Sequence, residues 1–279
     1  MAAAIPIQET TSRTMTVDST SPAKPALNRD LPVPQGLYDP RFEHDACGVN
    51  FVCHLRGEAS HHIVQLGIGA LCKMQHRGAL GAEVNTGDGA GLLIQVPDGF
   101  YRDVLAAEQG IDLPAPGAYA TGIAFLPGEL ASGGTEAADR AAAEVERIAD
   151  EEGLEVLAWR DLPVDDSMIG NAARAAEPTF RQVFLAGPAN ADGLRPTGID
   201  LDRLAYVLRK RTEHEIAVAG SDGDPDVGVH RVYFPSLSAR TIVYKGMLTT
   251  TQLSEFFGDL TDERVESALA LVHSRFSTN

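Results

Sequence analysis

The sequence predicts an α+β fold in which short strands interleave with helices from about residue 47 onward. Three observations predict it. Apolar residues alternate with polar ones over strand lengths, as in Val49, Phe51 and Cys53 and again in Leu92, Ile94 and Val96. Elsewhere they recur at helical spacing, as in Ala138, Ala141, Val145 and Ile148. The hydrophobic share, 44% of 279 residues, is ordinary for a globular chain with a sizeable core. At ~100–200 residues per domain, that length makes one large domain or two small ones.

Residues 1–36 read as disordered, and 1–46 as a tail ahead of a domain at 47–279. Eight Ser/Thr lie between Thr10 and Ser21, and Pro6, Pro22, Pro25, Pro32 and Pro34 oppose helix and central strand alike. Met15 is an alternative start. Order is expected from Leu37-Tyr38-Asp39-Pro40, where Pro40 fixes a turn. A largely buried strand follows at 49–53. Ser60 stands where an N-cap belongs, and Ile63, Leu66, Gly67, Ala70, Leu71 and Met74 follow at helical spacing. Gly78 is placed to close that helix in the left-handed conformation. Pro97 stops the strand at 92–96, and another is expected at 119–126. Thr135 to Glu152 reads as a helix closed by Gly153. Strands near 154–160 and 180–186 precede a helix near 201–214, which starts from Gly198 or Asp200. Two strands near 229–234 and 240–246 flank a turn, and a short helix is expected near 250–257. The last apolar run, Ala268 to Val272, leads into His273-Ser274-Arg275-Phe276-Ser277-Thr278-Asn279 with no closing element, which reads as a truncation.

Composition excludes several classes. The formal charge is −16, so the basic surface that tracks nucleic-acid phosphates is missing. No apolar run reaches the ~18 residues of a membrane span, and the N-terminus has no apolar signal core. Three cysteines form no disulfide framework, which fits a reducing, cytoplasmic location. Gly87, Gly89 and Gly91 have the wrong spacing for a dinucleotide fingerprint, and neither a P-loop nor a G-x-S-x-G elbow occurs. Asp222-Gly223-Asp224-Pro225-Asp226 imitates the start of a calcium loop. However, Val227 and Tyr233 stand where the loop glycine and the bidentate Glu belong, so it reads as an acidic surface loop. Cys53, His54, His61, His62, Cys72 and His76 match no zinc spacing; Cys53 and Cys72 read as small hydrophobes on apolar faces, and no metal site is expected.

Cys47 is different. It opens the domain in Asp45-Ala46-Cys47-Gly48-Val49, where Gly48 permits close approach of a ligand. Taken singly, Cys47 could be a buried cysteine, Arg77 a complement to a helix C-terminus, and Arg275 a surface arginine. Taken together, Cys47-Gly48-Val49-Asn50-Phe51, Gln75-His76-Arg77-Gly78, Thr86-Gly87-Asp88-Gly89-Ala90-Gly91 and His273-Ser274-Arg275-Phe276-Ser277-Thr278-Asn279 form an ordered set. That set resembles the glutaminase domain of glutamate synthase large subunits, within the class II glutamine amidotransferases. The resemblance runs from about Leu37 to Asn279. The 228 positions from Cys47 to Arg275 resemble this branch more than the phosphoribosylpyrophosphate amidotransferases or asparagine synthetases, where the arginine follows sooner.

The resemblance implies an N-terminal-nucleophile (Ntn) hydrolase fold, a four-layer α/β/β/α sandwich with mainly antiparallel sheets, here incomplete at the C-terminus. The family's oxyanion-hole Asn-Gly pair and its substrate-binding aspartate would lie beyond Asn279. It implies that residues 1–46 are a propeptide and that Cys47, once freed, is the nucleophile. A thiol of pKa ~8.5 is mostly protonated at neutral pH, whereas an α-amine of pKa ~7.7–8.0 is partly neutral and can serve as its base. By resemblance Arg275 holds the glutamine α-carboxylate with its planar fork, and Thr278 adds a hydroxyl to the pocket. Arg77 orders the backbone around Cys47, Gly48 permits close approach beside it, and Gly78 and the Gly87–Gly91 loop permit close packing at the site. No cofactor is expected in this segment; FMN and a [3Fe-4S] cluster belong to the synthase domain of the large subunit. The expected partners are L-glutamine, the rest of that subunit and the small subunit, with no nucleic acid and no membrane. The alternatives are a catalytically inactive fragment and another Ntn-type amide hydrolase.

Overall fold

Seven strands and six helices alternate along the part of the chain that the computed structural model describes: residues 48–75, 83, 85–128, 135–219 and 232–274. These lie within one compact unit, Ala46–Asn279. The expected tail falls outside the described residues.

Four strands make the first sheet: β1 (Gly48–Cys53), β2 (Ala90–Gln95), β6 (Thr241–Gly246) and β7 (Leu269–Ser274), in the order β1-β7-β2-β6. All of its pairings are antiparallel, with Gly48 opposite Ser274, Leu92 opposite Val272 and Leu92 opposite Tyr244. Helix α1 (His61–Lys73) packs on it. A Cβ added to Gly67 would stand 2.6 Å from the Ala270 Cβ, so glycine at that turn brings the helix close onto β7. The other strands, β3 (Ala120–Leu126), β4 (Glu155–Asp161) and β5 (Thr179–Ala186), form an antiparallel sheet in the order β3-β5-β4. Its outer face lies under α3 (Glu136–Glu151) and α5 (Ile199–Ala219). Ala138, Val145 and Ile148 meet Leu201, Ala205, Val183 and Leu185 there.

The inner face of that sheet joins the main core. Phe180 meets Phe256 and Phe257 from α6 (Leu253–Phe256) and its flank, Phe184 meets Tyr101 from α2 (Asp98–Gln109), and Tyr244 from β6 meets Phe257. A buried polar group crosses this core. Arg160 of β4 donates two hydrogen bonds to Asp259, at 2.8 and 2.9 Å, and Tyr244 donates a third to the same carboxylate at 3.1 Å. The Tyr101 and Tyr244 hydroxyls are 2.9 Å apart.

The mixed α/β character and the antiparallel sheets are as expected, and several details differ. Helix α2 and the short α4 (Asn171–Ala175) have no counterpart in the sequence reading. Helix α1 ends at Lys73, where the Met74 amide donates to the Leu71 carbonyl, rather than running on to Gly78. Tyr233 makes only an isolated bridge, to Phe125, where a strand at 229–234 was expected; residues 229–231 are outside the described residues. Strand β1 is not buried. Val49 and Phe51 are 60% and 56% exposed, because among the described residues nothing covers the sheet face opposite α1. Cys53 shares that face and is exposed too, so it is not a packed core thiol. Cys72 is half-buried and donates to the Thr250 carbonyl at 3.6 Å.

Candidate active site

Three of the four sequence motifs reach one end of the first sheet. Strand β1 begins there with Gly48, β7 ends there with Ser274, and β2 begins there with Ala90. Gly48 is paired with Ser274, and Ser274 with Ala90. Ala90 is paired in turn with Gly246, so the row across the sheet reads Gly48, Ser274, Ala90, Gly246. Gly48 is the one predicted site residue among those described. Cys47, Arg77, Gly78, Arg275 and Thr278 lie outside them. The structure therefore brings together the immediate neighbours of Cys47 and Arg275, which are far apart in sequence.

The loop leading into β2 is held from behind. A Cβ on Gly87 would collide with the Leu248 carbonyl and the Thr249 amide, so only glycine allows this loop to lie on the segment after β6. The Gly170 amide donates to the Asn85 carbonyl at 3.0 Å. Gln252, buried to 6%, bridges three segments. Its Nε2 donates to the carbonyls of Asn85 (3.2 Å) and Met168 (2.7 Å), and its Oε1 accepts from the Thr249 amide (2.8 Å). Glu83 accepts from the Ala172 amide and the Thr86 hydroxyl, both at 3.0 Å, and these two bonds hold its carboxyl below the usual carboxylate range. Sequence reasoning missed Gln252 and Glu83. Neither carries a local signature, because the partners of Gln252 lie 84 and 167 positions away and the helix amide bonded to Glu83 lies 89 away.

On the opposite face, the row next to the site reads Val49, His273, Gly91, Lys245. Partial burial, and then the Lys245 ammonium, hold the His273 imidazole below its usual pKa. Lys245 is itself engaged, donating to the Tyr233 hydroxyl at 2.7 Å. Among the described residues no group of three or more His, Cys, Asp or Glu could hold a metal ion. No described helix is long and apolar enough to cross a membrane.

Residues 47–279 match the family profile of the class-II glutamine amidotransferases. The chain belongs to that family. The chain is also similar to several curated glutamate synthases. It is 41% identical over 249 residues to the glutamate synthase [NADPH] large chain of Bacillus subtilis, covering 89% of this chain and 15% of that one. It is 41% identical over 251 residues to the glutamate synthase [NADH] of Schizosaccharomyces pombe, covering 89% of this chain and 11% of that one. Against the chloroplastic ferredoxin-dependent glutamate synthase of Oryza sativa subsp. japonica the identity is 38%, over 85% of this chain and 14% of the relative. The chain thus spans 11–15% of the length of these curated relatives. The amidotransferase profile begins at Cys47, the residue before β1.

Proposed function

We propose that this domain is the glutaminase of a glutamate synthase. It hydrolyses L-glutamine to glutamate and ammonia with Cys47 as an N-terminal nucleophile. The observation that carries the reading is the pairing of Gly48 with Ser274. It supports a site in which the residues one step beyond each strand, Cys47 and Arg275, face a common substrate.

In this reading, cleavage before Cys47 frees an α-amine on the same residue as the thiol. The amine takes the thiol proton, the thiolate attacks the glutamine amide carbon, and ammonia leaves with a proton returned from the amine. Water then hydrolyses the thioester. Arg275 holds the α-carboxylate through two charge-assisted bonds, Thr278 adds a hydroxyl, and Arg77 orders the backbone around the nucleophile, where Gly48 permits close approach and Gly78 close packing. The close seat of Gly87 on the Leu248–Thr249 peptide supports a rigid wall behind the site. Residues 1–46 act as the propeptide. Ammonia passes to 2-oxoglutarate in the synthase portion of the large subunit, which works with a small subunit in the cytoplasm. FMN and the [3Fe-4S] cluster belong to that portion, and no step proposed for this domain passes through them.

The test is made on the complete large subunit, with glutamine and ammonia supplied separately. Cys47→Ser is expected to abolish glutamine-dependent glutamate synthesis and to spare the ammonia-dependent reaction, because a hydroxyl is far less ionised than a thiol. Equal loss with both substrates would assign Cys47 to folding. Full glutamine-dependent activity would remove it from the mechanism.

A further inference from the structure

Ser274 is fully buried, and its hydroxyl has no hydrogen-bond partner among the described residues. It sits in the row Gly48, Ser274, Ala90, Gly246, on the face of the sheet that carries Leu92, Val272 and Tyr244 into the core. None of the other side chains in that row has a polar atom, so the row cannot satisfy the hydroxyl. Its neighbours are also the smallest available, which leaves the hydroxyl flanked by glycine on one side and alanine on the other. Thr250, two residues after the Leu248 carbonyl that seats Gly87, is a second buried hydroxyl without a partner. Buried polar groups are almost always paired, with protein or with ordered water. A hydroxyl orphaned at this point, one residue before Arg275 and opposite the residue after Cys47, calls for a ligand.

We infer that Ser274 holds a buried water beneath the active site and is a positioning residue for the glutaminase reaction. The inference rests on the reading of Cys47 as nucleophile. The water lies on the core side of the sheet, away from the substrate, and takes no part in bond making. It bonds the Ser274 hydroxyl and backbone groups at the ends of β1 and β7, and so fixes the points from which Cys47 and Arg275 project. A small polar molecule suits a row whose other side chains are hydrogens and one methyl. Displacements of the order of 1 Å at a reacting group cost up to about 10²-fold in rate, so one such anchor can matter kinetically while contributing little to folding.

The experiment uses the complete, processed protein and measures kcat and KM for glutamine together with the thermal midpoint. Ser274→Ala is expected to lower kcat about 10-fold, to leave KM within about twofold, and to leave the midpoint little changed, since a water-bridged hydroxyl contributes little net stability. Ser274→Thr keeps the hydroxyl and is expected to retain most of kcat. Ser274→Val has the size of Ser274→Thr without the hydroxyl and is expected to lose at least as much as Ser274→Ala. A crystal structure of the unsubstituted protein is expected to show an ordered water within hydrogen-bond distance of Ser274 Oγ. Full kcat in Ser274→Ala, no water at that hydroxyl, or a fall in midpoint alongside kcat would each overturn the inference. So would failure of Ser274→Ala to fold, since the hydroxyl would then be holding the fold. The control separates the two readings. If Cys47→Ser keeps glutamine-dependent activity, the nucleophile assignment fails. If Cys47→Ser is inactive while Ser274→Ala is fully active, only the role of Ser274 fails.

Discussion

Among the described residues, the three-stranded sheet is covered on both faces, whereas the four-stranded sheet that carries the candidate site is covered on one. In β5, Phe180 and Phe184 enter the main core while Val183 and Leu185 pack under α3 and α5, so nearly every position is buried. In β2 and β7 of the other sheet burial alternates residue by residue. Leu92, Ile94, Ile242, Tyr244, Ala270 and Val272 are fully buried, while their neighbours Val49, Phe51 and Leu271 on the far face are 60%, 56% and 38% exposed. The two sheets have similar apolar content and differ in what lies above them. Apolar side chains in a strand therefore report a surface that can be covered, and the covering layer decides their contribution to stability.

Substitutions of matched chemistry on the two sheets should test this contrast most directly. Phe184→Ala removes a fully buried ring that packs against Tyr101 and Tyr119, and should cost ~3–5 kcal/mol. Phe51→Ala should cost well under ~1 kcal/mol, because more than half of that ring is already in water. Chemical denaturation of the two variants reads the difference. A large loss for Phe51→Ala would mean that the open face is covered in solution.

The second test concerns how the sheets are joined. Arg160→Met leaves Asp259 buried with its bidentate partner gone, which should cost ~3–5 kcal/mol. The double variant Arg160→Met with Asp259→Leu should recover much of that loss, since no buried charge then remains unpaired. If it is no more stable than Arg160→Met, the ion pair contributes more than the cost of breaking it, and the sheets need it for their alignment.

The legible and illegible parts of this molecule divide along physical lines. Helix α3 was readable because its apolar stripe repeats over about three turns, from Ala138 to Ile148, and it buries those residues. Strands β2, β3, β4 and β5 were readable from alternation and from breakers such as Pro97. Helix α2 was not, because Phe100, Tyr101, Val104 and Leu105 are separated by charged residues over only twelve positions and follow a proline. The burial of β1 was misread because a one-sided apolar pattern does not say which side will be covered. At the site, Gly48 and the glycine loop were legible as motif residues. Gln252, Glu83 and the orphaned Ser274 hydroxyl were not, because each acquires its meaning from the spatial row or loop in which folding places it.

Gly87→Ala should have a smaller effect on stability and a clear one on activity. The added methyl meets backbone at Leu248 and Thr249 and not the end of a flexible side chain, so the loop or the segment after β6 must shift. Overpacking of this kind costs ~1–3 kcal/mol. Gly99→Ala is the fitting control, since nothing stands within 4 Å of a Cβ there. Loss of glutaminase rate in Gly87→Ala with normal rate in Gly99→Ala would sharpen the view that the glycine loop is braced against the segment after β6. Normal rate in both would detach that loop from the site.

The smallest expected effect is a pH dependence on the open face. The His273 pKa is lowered by partial burial and by Lys245 across Gly91, so the folded protein favours the neutral imidazole. The unfolded chain, with an ordinary histidine pKa of ~6.5, binds the proton more readily. Between the two values the unfolded state carries more protons, and stability therefore rises with pH. The contribution of His273 is fully favourable above about pH 6.5. It is lost as pH falls from there through the lower folded value. Lys245 on β6 is the charged group facing the ring, and Val49 on β1 carries none. Titration of the His273 ring protons by NMR should give a midpoint below the ordinary histidine value of ~6.5, and His273→Gln should flatten the stability slope below about pH 6.5. A midpoint at or above that value would show that the open face is as wet at His273 as at its rim. The difference in burial between the two faces of this sheet would then extend no further than its apolar rows.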